Sequence, residues 1–508
     1  MAELNRLTAS EAARKLAARD ITAEALLNDC LDRIAARDAE VKAWTVIDAD
    51  AARRRARALD SQPSGGLLHG LPIAVKDLID TCDMPTSYGS PIYAAHRPAW
   101  DAVCVAQARA AGAIVVGKTV TTEFATFHPG PTRNPHNFMH TPGGSSSGSA
   151  AAVADWMVPL AFGSQTAGSI VRPAAYCGIV GYKPTFGTVN RVGAKMISDT
   201  LDTIGALGRS VADVALFVAA LTDRRELIIE RPLDHAQRVG LCRTYEWDRA
   251  QLETVAAFED AGRRLQTAGT TIRDVELPIE FAGLVEAQTA IMIYEVARSL
   301  SYEWLAHRDR LSVKMKAMIE AGLAISFERY EASRALARKC RHALAAVFAS
   351  VDVLLVPSTM GVAPAGIDAT GDPLFNRIWT LLYAPCVHLP TATGPHGLPV
   401  GITVVGTIGG DRGLLLAADW LHSKLQSMGR RLALNNCPSP RAIGATSRKA
   451  QQRARSARQV VRAALEMLRE AQDEDLVAAV QCVEKLVTQY GRSASCFKQS
   501  TFVHHQLD

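Results

Sequence analysis

Two stretches dense in small residues, GGSSSGS at 143–149 and GSQTAGSIVRPAAYCG at 163–178, sit close together in the middle of the chain. Runs of Gly and Ser supply almost no core, so a fold that keeps two of them inside must hold them on a scaffold built from the flanking sequence. The flanks alternate strand and helix. Leu71–Val75 and Ala113–Val116 are short β-rich runs separated by an apolar helical stretch at Val103–Ala111, and Val351–Val356 and Val400–Val405 are further strands, bounded by Pro357 and Pro399. Residues 250–350 read as largely helical, Ala150–Ala154 as an Ala-rich helix, and Gly413–Leu425 as an amphipathic one. This alternation predicts an α/β architecture.

With 508 residues, 48% of them apolar and 21% charged, the chain can bury a large core and is neither disordered nor collagen-like. Residues 8–58 read as two amphipathic helices, a cover opened by Thr8 with Glu11 as a capping box and resumed near Thr22. Residues 128–149 and 161–193 read as loop-rich. From about 435, NNCPSP introduces two further helical stretches near 447–471 and 474–489. The expected division is a body over 1–435, with 1–60 as its helical cover, and a basic helical extension over 436–508.

The formal charge of +5 is concentrated late: Arg441, Arg448, Lys449, Arg453, Arg455, Arg458 and Arg462 occupy 441–463 without an acidic residue. The nearly neutral body gives no argument for a polyanionic partner, so nucleic acid is not expected. The 10 cysteines are widely spaced, without a CxxC pair, and predict buried thiols rather than a disulfide framework or a zinc site. No apolar run approaches the roughly 20 residues of a membrane span, and the charged N-terminus lacks a signal-peptide core. A cytoplasmic location is expected.

Three places carry candidate chemistry. GGSSSGS lacks the GK[ST] ending of a phosphate loop, and as composition alone it reads as a linker. It also contains GxSxG around Ser146, but the NFMHTP segment before it is not the apolar strand that a nucleophile elbow needs. In the second stretch, small residues around Ser169 allow successive backbone amides to share one concavity suited to an oxyanion. The third is Lys76, at the end of a strand, where desolvation would make the neutral amine usable as a base; the plain alternative is a lysine reaching solvent. Amide cleavage needs a nucleophile, a base, an acid for the leaving nitrogen and an oxyanion site, and these places together can supply all four.

The stretches GLPIAVKDLID (70–80), NPHNFMHTPGGSSSGSAAAVA (134–154), GSQTAGSIVRPAAYCGIVGYKPTFG (163–187) and SDTLDTIGALGRSVAD (198–213) resemble the amidase signature family of Ser–Ser–Lys hydrolases. Weaker matches follow at 352–364 and 389–406. The resemblance implies one α/β/α body around a mixed central sheet, with neither metal nor cofactor. It implies Lys76 as base, Ser169 as nucleophile, Ser145 as the bridging serine held by a cis peptide bond, and the amides of Thr166, Ala167, Gly168 and Ser169 as the oxyanion hole. Specificity would lie in parts of 125–140 and 285–385. Ser147, Gln165 and Ala167 depart from the family's commonest residues, and Ala167 narrows the backbone options beside the oxyanion site.

Arg172 directly before Pro173 sets the chain, by resemblance, nearer malonamidase-like enzymes than tRNA amidotransferase subunits. There its guanidinium would bind a substrate carboxylate, or brace its loop. The expected function is therefore hydrolysis of a small amide, with an amidotransferase or multi-subunit amidase component as the alternative. An inert amidase-fold body that docks through its basic tail is a reading from another class. A small-molecule amide and a second copy of the chain, as a homodimer, are the expected partners.

Overall fold

The computed structural model describes residues 3–63 and 65–426. Among them, eleven strands form one sheet: β1 (Trp44–Ile47), β2 (Pro72–Lys76), β3 (Ile114–Thr119), β4 (Leu160–Gln165), β5 (Val180–Lys183), β6 (Thr203–Gly208), β7 (Arg238–Leu241), β8 (Thr271–Asp274), β9 (Val353–Pro357), β10 (Cys386–Thr393) and β11 (Pro399–Val405). Their order is β1-β3-β2-β4-β6-β5-β10-β11-β9-β7-β8. The pairs β3·β2, β2·β4, β9·β7 and β7·β8 are parallel and the other six antiparallel, so the sheet is mixed as expected. Every residue of β2, β3, β4, β5, β6, β9 and β11 is buried. Because successive side chains point to opposite faces, burial this complete means that both faces are covered, the condition for an α/β/α body.

The N-terminal cover begins as the sequence predicts. Helix Ala9–Ala17 carries the Thr8–Glu11 capping box, and Thr22 caps helix Ala23–Val41. The segment is more than two helices, however. Lys42 ends the second helix with a left-handed φ of 54°, the β-prone WTVI run that follows forms β1 antiparallel to β3, and a third helix spans Ala49–Asp60.

The second correction concerns 161–193. The segment is not simply loop: it holds most of β4, helix Val171–Cys177 and β5. Its glycines serve close approach rather than flexibility. A Cβ on Gly181 would fall 2.6 Å from the Ala174 Cβ, and one on Gly163 would fall 3.0 Å from the Ile170 Cγ1. Glycine in these strands therefore lets the 171–177 helix lie almost directly on the sheet. The basic run at 441–463, both late helices and the whole 436–508 extension lie outside the described residues. Among the described residues no helix is long and apolar enough to cross a membrane.

Candidate active site

Lys76 ends β2 and Gln165 ends β4, and the two strands are parallel neighbours. Loops leaving the C-terminal ends of adjacent parallel strands emerge on the same side, where α/β proteins place their sites. Here that geometry sets the lysine beside both small-residue segments.

The Lys76 side chain is fully buried. Its Nζ lies 2.7 Å from Ser145 Oγ, 3.1 Å from Ser146 Oγ and 2.7 Å from Ser164 Oγ. Loss of hydration holds the amine down to about 7; the Asp202 carboxylate pulls it back up and the Arg172 guanidinium pushes it further down. An ammonium would donate to all three hydroxyls. A neutral amine has two N–H groups and one lone pair, so one hydroxyl must donate to it. Ser146 Oγ also donates to the Ser164 carbonyl, at 3.3 Å, and is therefore an acceptor toward Lys76. That leaves Ser145 and Ser164, each 2.7 Å away, as the two hydroxyls able to donate to the amine.

Ser146 thus sits behind the lysine, fully buried, where an elbow nucleophile would need access. The Gly144–Ser145 peptide bond is cis. Helix Ser147–Ala154 starts on the last serine of this run, and Gly148 brings it against the chain just before β1 and just after β3: a Cβ there would lie 2.2 Å from the Ala43 carbonyl oxygen and 2.5 Å from the Val120 amide.

Ser169 lines a pocket together with Thr166, Ala167 and Arg172, and is 7% exposed. The loop before it is fixed by its carbonyls. Gln288 Nε2 donates to the Thr166 carbonyl at 3.0 Å, Thr380 Oγ1 to the Ala167 carbonyl at 2.8 Å, and the Arg172 amide to the Gly168 carbonyl at 2.8 Å. In a planar trans peptide the N–H points opposite its carbonyl, so the amides of Ala167, Gly168 and Ser169 all face away from these partners. Successive amides left to face the pocket side in this way suit a developing oxyanion. The Thr166 side chain turns to Asp202, donating its hydroxyl to Oδ1, while Asp202 Oδ2 accepts from the amides of Ile197 (2.7 Å) and Ser198 (3.0 Å). Burial pushes the Asp202 carboxyl up to about 6.

Gln165 uses both ends of its amide. Oε1 accepts from the amides of Ile170 (2.9 Å) and Val171 (3.1 Å), and Nε2 donates to Thr380 Oγ1 at 2.9 Å. Arg172 is buried and reaches back to the serine loop. Its Nε and Nη2 donate to the Gly144 carbonyl at 3.1 and 2.6 Å, and its Nη1 to the Gly371 carbonyl at 2.7 Å. It thereby ties the peptide before Ser145 to the helix after Ser169.

Sequence reasoning missed Asp202, Ser164, Gln288 and Thr380. Asp202 had a signal, as the acid directly before the apolar run that forms β6. Gln288 and Thr380 had none, since they lie on helices more than a hundred residues away. The remaining pocket lining includes Ala125, Phe127, Met292, Met318 and Pro373, within the two regions where the resemblance places specificity.

The amidase family profile matches residues 25–415. A glutamyl-tRNA(Gln) amidotransferase subunit of Acidothermus cellulolyticus (strain ATCC 43068 / DSM 8971 / 11B) is 34% identical to this chain, over 87% of it and 99% of the relative. A solved amidase is 32% identical with a TM-score of 0.76, over 82% of this chain and 100% of that one. The peptide amidase of Stenotrophomonas maltophilia is 29% identical with a TM-score of 0.70, over 84% and 98%. The expected proximity to malonamidase-like enzymes is not what these comparisons return. What they do establish is that the chain belongs to the amidase family.

Proposed function

We propose that the protein cleaves the C–N bond of a carboxamide through an acyl-enzyme on Ser169. The observation that carries this reading is the fully buried Lys76 amine, 2.7 Å from Ser145 Oγ and held near neutrality by desolvation. Ser145 gives its proton to Lys76 Nζ and takes one from Ser169. The Ser169 oxygen then forms its bond to the substrate carbonyl, and the amides of 167–169 hold the oxyanion. The proton returns through Ser145 to the leaving nitrogen, the C–N bond breaks, and ammonia or an amine departs. Water repeats the sequence: its oxygen bonds the acyl carbon, and Ser169 leaves with a proton.

Two settings share this chemistry. The amidotransferase subunit named above matches along almost its whole length, which supports a role as the amide-cleaving member of a multi-subunit assembly. The solved amidases support a self-contained hydrolase. Ammonia release by the purified chain, alone and after co-purification with partners, separates the settings: turnover that appears only with partners selects the multi-subunit one. In either setting Arg172 braces the loop, because each of its guanidinium nitrogens donates to a backbone carbonyl. A fluorophosphonate probe should label Ser169. Ser169→Ala should abolish labelling and turnover while leaving stability within about 1 kcal/mol. Labelling retained at another serine would overturn the assignment.

A further inference from the structure

The pocket beside Ser169 is lined largely by apolar side chains. Phe127, Ile197, Met292, Val296 and Met318 contribute to its lining, and among the described residues that line it Arg172 is the only one with a charged side chain. Besides Ser169, its polar members have partners within the protein. Thr126 Oγ1 donates to the Glu123 carbonyl at 2.6 Å, the Thr166 hydroxyl donates to Asp202, and Arg172 holds the Gly144 and Gly371 carbonyls. Outside the lining, the Arg377 guanidinium disfavours the Arg172 charge and the exposed Asp372 favours it. A substrate carboxylate or ammonium entering here would give up its water for methyl, thioether and ring surfaces.

Resting on the acyl-enzyme reading above, we infer that the acyl group this site takes is neutral and apolar, as in medium-chain aliphatic or aryl carboxamides. Amino-acid amides and amides of dicarboxylic acids fall outside it. On this reading Arg172 serves to brace its loop. The two methionines add adaptability, since an unbranched thioether repacks around acyl chains of different length.

The experiment measures kcat/KM of the full chain for hexanamide and benzamide against succinamate, glutamine and asparagine, with fluorophosphonate labelling of Ser169 run in parallel. The expected result is a preference of about tenfold or more for the neutral apolar amides. Met318→Lys, at a half-buried position able to carry a charge, should shift the ratio of succinamate to hexanamide about tenfold toward succinamate. Preference of the unmodified protein for succinamate, glutamine or asparagine, with Ser169 still labelled, overturns the inference and leaves the acyl-enzyme reading standing. Labelling without turnover of either apolar amide also overturns the inference alone. Neither labelling nor turnover overturns both.

Discussion

Burial acts on Lys76 twice, making it a base and making it costly. A lysine at its ordinary value of 10.5 is charged at neutral pH and has no lone pair to offer, whereas one held at about 7 is half free there. Turnover should therefore rise with pH through about 7 and level off above it, a profile read from kcat/KM between pH 5.5 and 9. The sign of the stability effect follows from linkage. Between about 7 and 10.5 the unfolded chain keeps the Lys76 proton that the folded chain has lost, so this residue's contribution makes stability rise with pH across that window. Lys76→Met should abolish turnover and remove that part of the rise, as seen by comparing melting temperatures at pH 7 and 9. An unchanged slope would show that the amine is not held down by the fold. Asp202 works against desolvation by favouring the ammonium. Asp202→Asn should shift the rate profile toward lower pH, and because the carboxylate also fixes Thr166 and the 197–198 turn, the plateau should fall as well. A lower plateau with no shift in the profile would confine Asp202 to positioning the oxyanion loop.

Secondary-structure elements bring these residues together by close backbone approach, and glycine permits it. Gly148 is a tight case, since a side chain there would collide with the Ala43 carbonyl and the Val120 amide, both main-chain atoms with little room to move. Gly148→Ala should destabilise the fold by about 1–3 kcal/mol. It should also lower turnover more than melting alone accounts for, because Ser145 and Ser146 lead directly into the displaced helix; denaturation midpoints with kcat at a temperature well below melting check both. The sequence made much of this scale legible. Alternating strand and helix signals located β2, β3, β9 and β11, and the pairing of Thr8 with Glu11 located the first helix. What it hid was the role of the small residues. Gly163 and Gly181 read as loop because sequence distinguishes poorly between a glycine that bends the chain and one that lets a helix touch a strand. Lys76 and Ser169 stand out from their local sequence, and Ser145 follows from the resemblance to the amidase signature family. The supports that aim their backbone, Gln288 and Thr380, do neither, since nothing local to a helix marks a side chain that crosses to another element.

At the scale of the whole molecule, the site draws on segments from Lys76 to Thr380, brought to one side by a sheet whose order departs far from sequence order. Such a site depends on the integrity of the entire body. The body closes late, with β11 entering the middle of one half of the sheet between β10 and β9, and helix Asp411–Leu425 burying Leu414, Leu415, Leu421 and Leu425. The family match ends at residue 415, within this helix. A chain ending at 435 should therefore keep the kcat/KM of the full chain. The basic run at 441–463 makes the comparison worth conducting at two salt concentrations, because a contact that seven positive side chains make with an acidic surface weakens as salt screens it. If truncation abolishes activity while light scattering shows the same oligomeric state, the extension belongs to the catalytic body. If activity falls together with a change in oligomeric state that high salt reproduces in the full chain, the extension acts by holding copies together.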